Sequence, residues 1–224
     1  MQNQLGGNMK LLPKLLLCAA VALSSQAAAQ IPQPTPTASP QAMLSTPALI
    51  DVMRQGGYII LVRHERTEVP SVGDNFAKPR TDCFSQRNLS ASGYAGARET
   101  GETLRILGIR VSEVRSSPIC RTMETARLMF GRAISDERLM HDDPPSGRTV
   151  EVADRDVKEL VASIDLSQGN VALVTHGGII KKAFDVAVVE GAIAVLSRDG
   201  NGKITVIGQT TGSDLDFPAR ASRK

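Results

Sequence analysis

The chain has no tryptophan, and tyrosine and phenylalanine together make up only 3% of its 224 residues. Proteins that grip single-stranded nucleic acid or sugars lean on aromatic faces for stacking, so this poverty argues against both classes. An excess of one charge is also missing: 26 basic residues stand against 23 acidic ones, which is not the basic footprint of a nucleic-acid partner. The apolar stretch Leu15–Leu23 falls short of the roughly 20 residues that span a bilayer, so no stable membrane span is expected. Histidine and cysteine number three each. Any imidazole or thiol chemistry therefore rests on very few positions.

What is present begins with an address. Lys10 and Lys14 precede Leu15–Leu23, then Ser24, Ser25 and Gln26 lead to Ala27, Ala28 and Ala29. Basic, apolar and small residues in that order read as a secretory signal peptide over residues 1–29, cleaved near Ala29, with translation starting at Met1 or Met9. The mature protein is then expected in the periplasm or outside the cell. Cleavage removes two of the 26 basic residues and none of the 23 acidic ones, leaving a net charge of +1. Residues 30–41 are rich in Pro, Thr and Ser and read as a linker. The folded domain is expected over 42–212, with a polar tail over 213–224.

Within the domain, Thr46 and Pro47 open a helix that Gly56 and Gly57 stop. The run Tyr58–Val62 reads as a buried strand that delivers Arg63 and His64 to its C-terminal end. A second helix is expected from Ser90 to Leu107, a short strand over Val111–Val114, and a third helix from Ile119 to Phe130. Val157, Leu160, Val161 and Ile164 have the spacing of an apolar helical stripe. Asn170–Thr175 is a second buried strand, ending on His176, and a helix over Ile179–Val186 follows. Ala192–Ser197 and Lys203–Ile207 flank Asp199-Gly200-Asn201-Gly202, a hairpin signal. Strands alternating with helices predict an α/β three-layer sandwich, a mainly parallel central sheet with helices on both faces.

Two of the three histidines, His64 and His176, follow the two most apolar strand patterns. If those strands are neighbours, both imidazoles open on one crevice at the C-terminal edge of the sheet. Arg63 and Arg121 can join them, the latter near the start of the helix after Ser117-Pro118, where backbone N–H groups also favour an anion. That set suits a phosphate.

Residues 59–67, IILVRHERT, resemble the RHxxT signature of the histidine phosphatase superfamily, the phosphoglycerate-mutase-like proteins. The likeness continues through Asn88-Leu89-Ser90 and Gly93, SSPICRTMETA at 116–126 and LVTHGG at 173–178, in the family's order. It implies that His64 is a nucleophile that becomes phosphorylated, that Arg63 and Arg121 bind the phosphate, and that His176 is the second imidazole. It implies no cofactor and no metal. The substrate would be a small phosphomonoester, an envelope sugar phosphate being one option for an exported member.

The chain departs from the family at the general acid. Many members carry a Glu after an R-L-x segment, whereas here Arg138-Leu139-Met140 leads to His141. Asp142 and Asp143 are the adjacent acids that could protonate the leaving group, and Asp142 is the candidate taken. Two other readings stay open: a phospho-ligand binder without catalysis, and a zinc hydrolase built on His64, His141, His176 and Asp142. Loss of Cys18 with the signal peptide leaves Cys83 and Cys120 as an even pair in an oxidising compartment, so a disulfide between them is expected. Substrate choice is assigned to the segments 68–87 and 132–150.

Overall fold

The computed structural model describes residues 42–222, apart from 69–72, 76 and 79. The signal peptide and linker expected over 1–41 lie outside the described residues.

Six strands form one sheet: β1 (Ile59–Arg63), β2 (Val111–Ser116), β3 (Ile134–Ser135), β4 (Asn170–Thr175), β5 (Ile193–Arg198) and β6 (Ile204–Thr210). Their order is β3-β2-β4-β1-β5-β6, parallel from β3 to β1 and antiparallel at β5 and β6. The expected mainly parallel sheet is present, and its two antiparallel strands are the expected hairpin. Six helices cover it: α1 (Thr46–Gln55), α2 (Ala91–Ile106), α3 (Cys120–Phe130), α4 (Val150–Ser163), α5 (Gly177–Phe184) and α6 (Gly212–Ser222). None of these helices is long and apolar enough to cross a membrane.

The period-two geometry of a strand explains why β1 and β4 read as unbroken apolar runs. Ile60, Val62, Ala172 and Val174 face one side, where they pack with Leu49 and Met53 of α1, Leu104 of α2, Met129 of α3 and Leu215 of α6. Ile59, Leu61, Val171 and Leu173 face the other, against Val157 and Leu160 of α4 and Ile179 and Ile180 of α5. Both faces are buried, so every interior position of the two strands is apolar and polar residues stand only at their ends. At the opposite end Asn170, fully buried, donates to the carbonyls of Met53 and Arg110 and accepts from the Tyr58 amide. That one amide aligns the starts of β1 and β4. Helices α2 and α3 approach so closely that a Cβ at Gly101 would lie 2.1 Å from the Met129 carbonyl oxygen, and only glycine fits.

Several boundaries differ from expectation: the helix expected over Ile179–Val186 runs over Gly177–Phe184, and β2 and β6 extend to Ser116 and Thr210. The N-cap of α1 is Ser45, one residue earlier than Thr46. Residues 132–150, expected as loop, hold the short strand β3 and two 3-10 turns. The expected polar tail is instead α6, with Leu215 and Ala219 fully buried. Two apolar anchors among GSDLDFPARAS, with Pro218 inside the helix, are too sparse to mark a helical stripe. They reach the core because the segment lies back along α1 and α2.

The expected disulfide between Cys83 and Cys120 is formed, with Cα atoms 5.7 Å apart. It joins the segment after β1 to the first residue of α3. Gln86 reinforces the junction by accepting from the Cys120 amide and donating to the Arg80 carbonyl. The cysteines stand 37 residues apart, for which the chain-entropy relation gives up to about 4 kcal/mol. Replacing both with serine is expected to lower urea-unfolding stability by an amount of that order. Unchanged stability would mean that packing alone holds the segment.

Candidate active site

β1 and β4 are parallel neighbours with Arg63 opposite Thr175. The residues that follow, His64 and His176, therefore emerge side by side at the C-terminal edge, and the His64 amide donates to the Thr175 carbonyl. Their rings lie edge to face with centroids 5.6 Å apart. From β2 the chain turns at Ser117-Pro118 into α3, whose second residue, Arg121, is buried beside them. Thr125 Oγ1 fixes this helix against β1 by accepting from the Glu65 amide and donating to the Arg121 carbonyl.

The hydrogen bonds assign the tautomers. His64 Nδ1 lies 2.8 Å from the Glu65 carbonyl oxygen; a carbonyl can only accept, so Nδ1 carries the proton and Nε2 carries the lone pair. His176 presents Nδ1 to Arg121 Nη2 at 3.5 Å and Nε2 to Ser117 Oγ at 2.9 Å. Because a guanidinium only donates, Nδ1 is the acceptor and Nε2–H points to the serine. Burial holds the pKa of His64 down to about 3, despite the opposing pull of the Glu65 carbonyl, and Arg121, Arg63 and Arg87 add to the depression. Burial, with Arg121 second, likewise keeps His176 well below its ordinary range. Both rings are neutral at physiological pH.

The expected cations behave differently from one another. Arg121 gives Nη1 to both carboxylate oxygens of Asp74, at 2.9 and 3.0 Å. Arg63 directs Nη1 to the Val188 carbonyl at 2.9 Å and Nη2 towards Glu190 at 3.5 Å. A third arginine, Arg87, is close enough to depress both imidazoles. On Arg63, Arg87 and Arg121 alike the Nε–H is buried with no hydrogen-bond partner among the described residues. Buried donors of charged groups are seldom left unpaired. Arg148 Nε is unpaired as well, but Arg63, Arg87 and Arg121 are the three whose charges act on His64, an arrangement that can receive an anion. Arg87 was not among the expected site residues. Its signal was adjacency to the matched block Asn88-Leu89-Ser90, in a segment held by the disulfide, by Gln86 and by the Arg87 amide on Asp74.

His141 also enters the site. Its ring stands edge-on to His176 with centroids 4.5 Å apart, and its Nε2 lies 3.4 Å from Arg121 Nη2. Asp142, the expected acid, uses its backbone carbonyl to hold His141 Nδ1. The neighbouring Asp143 is buried against Arg80 at 3.3 Å. Among the described residues no group of three or more His, Cys, Asp or Glu side chains could hold a metal ion. Arg121, in contact with both His141 and His176, would also repel a dication. A cavity of about 710 Å³ borders Arg121, lined by charges of both signs, including Glu68, Arg80, Arg127 and Glu137, with Tyr94 and Met123 between them.

The neutral imidazoles bear on stability. Unfolding returns His64 and His176 to their ordinary pKa of about 6.5, so below that pH the unfolded chain binds protons that the native state refuses. Stability is therefore complete above about pH 6.5 and is lost as pH falls toward the folded values, at roughly 1.4 kcal/mol per pH unit for each histidine. Urea midpoints measured between pH 5 and 7.5 are expected to rise with pH and level off near neutrality. His141, also lowered by burial, adds to this slope, and Glu65, raised by burial, opposes it. A profile that stays flat in Glu65→Gln protein would mean that the rings are charged in the native state.

No family model and no curated protein matches the chain, but solved structures do. YhfR from Bacillus stearothermophilus superposes with a TM-score of 0.55 at 18% identity, covering 70% of this chain and 98% of that one. The alpha-ribazole phosphatase from Shigella flexneri gives 0.54 at 16%, covering 69% and 96%. The protein histidine phosphatase SixA, solved with tungstate, gives 0.50 at 17%, covering 70% and 99%. The chain is thus built on the histidine phosphatase, or phosphoglycerate-mutase-like, fold.

Proposed function

We propose that this chain is an exported, metal-independent phosphomonoesterase that works through a phosphohistidine on His64. The observation that carries the proposal is the neutral, tautomer-locked imidazole of His64 beside three buried, unpaired guanidinium N–H groups. A phosphate dianion is the ligand that would satisfy those donors, each charge-assisted bond contributing roughly 1.5–3 kcal/mol. The likeness to a phosphatase fold solved with tungstate, a tetrahedral oxyanion, supports the same reading.

In this scheme Nε2 of His64 attacks phosphorus in line with the leaving oxygen. Arg63, Arg87 and Arg121 stabilise charge on the equatorial oxygens. His176 places its Nδ1 edge at the same centre, held by Ser117. Asp74 occupies Nη1 of Arg121 and fixes the plane of that guanidinium, and Nε is left for the ligand. The mixed-charge cavity reaches this centre through Arg121, none of the histidines lining it, and its polarity supports a polar leaving group such as an envelope sugar phosphate would supply. The export signal read over residues 1–29 and the Cys83–Cys120 bond support a periplasmic or secreted setting, where disulfides persist.

The test is turnover of para-nitrophenyl phosphate by wild-type and His64→Ala protein. Wild-type protein is expected to hydrolyse it and the variant to lose activity by at least about 1000-fold, the loss of a nucleophile being decisive. Thermal melting checks that the variant is folded. Turnover by His64→Ala within a few-fold of wild type would end the proposal.

A further inference from the structure

We propose that His141 is the proton donor to the leaving oxygen, and the base that activates water in the second half of the reaction; this rests on the phosphohistidine reading above. The geometry leaves few alternatives. His64 spends its one proton on the Glu65 carbonyl, and its Nε2 is the attacking atom. His176 is buried, gives its Nε2–H to Ser117 and turns Nδ1 to Arg121. Of the carboxylates nearby, Asp74 is paired with Arg121 and Glu190 with Arg63 and Thr67, whereas Asp143 accepts from Arg80 at Oδ2 and its buried Oδ1 has no partner among the described residues.

His141 is the third imidazole at these cations. Its Nδ1–H is held by the Asp142 carbonyl, so Nε2 is the atom that gains or loses a proton. That nitrogen sits 3.4 Å from Arg121 Nη2, at the edge of the anion pocket and across the His176 ring. Unlike His64 and His176, His141 is only partly buried, so it can exchange protons with solvent. In the free protein, burial lowers its pKa; the Asp142 carbonyl opposes this, Arg121 adds to it, and Asp74 and the Asp142 carboxylate oppose it. An arriving phosphate dianion joins the groups that favour the imidazolium. Substrate thereby recruits the proton that its own leaving group needs.

The protons balance over the cycle. The bond from His64 Nε2 to phosphorus forms as the bond from phosphorus to the leaving oxygen breaks, and the proton on His141 Nε2 passes to that oxygen, which departs as an alcohol. Water then attacks phosphorus and gives a proton to His141 Nε2. The phosphorus–nitrogen bond breaks and inorganic phosphate leaves, with His141 again protonated.

A leaving-group series separates this role from mere packing. The kcat/KM of wild type, His141→Gln, His141→Asn and Asp142→Asn would be measured with para-nitrophenyl phosphate, phenyl phosphate and glycerol phosphate. A para-nitrophenolate departs without help, whereas an alkoxide must be protonated. His141→Gln is therefore expected to lose about 10-fold or less on the nitrophenyl ester and about 100-fold or more on glycerol phosphate, within the usual range for a general acid. The slope of log kcat/KM against leaving-group acidity steepens accordingly. Vanadate affinity within a few-fold of wild type shows that the pocket survives, and the asparagine variant serves if glutamine impairs folding. Equal losses along the series would overturn the assignment, and steepening confined to Asp142→Asn would give the role to Asp142. Failure of wild type to turn over any of the three esters would count against the phosphohistidine reading itself, a distinguishable result.

Discussion

The parallel pairing of β1 with β4 is the constraint on which the rest depends. Register opposes Arg63 to Thr175, so the next residue in each strand is a histidine, and the His64 amide is anchored on Thr175. A slip of one residue would turn every side chain of a strand to the opposite face. Here such a slip would exchange the two halves of the core as well as separate the imidazoles. The packing that stabilises the sheet and the geometry that brings the rings within 5.6 Å are thus a single requirement, secured at the far end of the strands by Asn170.

Electrostatics then decides what the crevice can hold. Buried guanidiniums beside buried imidazoles are costly if all are charged; the imidazoles respond by staying neutral. The result combines a ring nitrogen with a free lone pair, cations whose outer nitrogens are fixed by Asp74, Val188 and Glu190, and unpaired Nε–H donors. The Cys83–Cys120 bond matters here because it clamps the segment that carries Asp74 and Arg87 to the helix that carries Arg121. Two remote pieces of chain are held beside the two imidazoles.

Much of this was legible in the sequence. The apolar runs ending in Arg63-His64 and Thr175-His176 announced buried strands, and their shared crevice followed from α/β topology. The cysteine pair was readable from counting alone. Other features required three dimensions. Helix α6 depends on Leu215 and Ala219, too few to make a periodic signal, and β3 is only two residues long and exposed. Arg87 sits in a polar segment where local pattern says nothing about path. His141 was visible as a departure from the family's glutamate position, but only the fold shows its ring against His176 and its Nε2 against Arg121.

The central claim is that His64 Nε2 receives the phosphoryl group. Its most direct test is to quench the wild-type protein during turnover of a phosphomonoester and locate the acid-labile phosphate by tandem mass spectrometry and phosphorus NMR. The account predicts a phosphoramidate on His64 at Nε2, because Nδ1 is held as N–H by the Glu65 carbonyl. Phosphate found on His141 or His176, or on Nδ1 of His64, would contradict it.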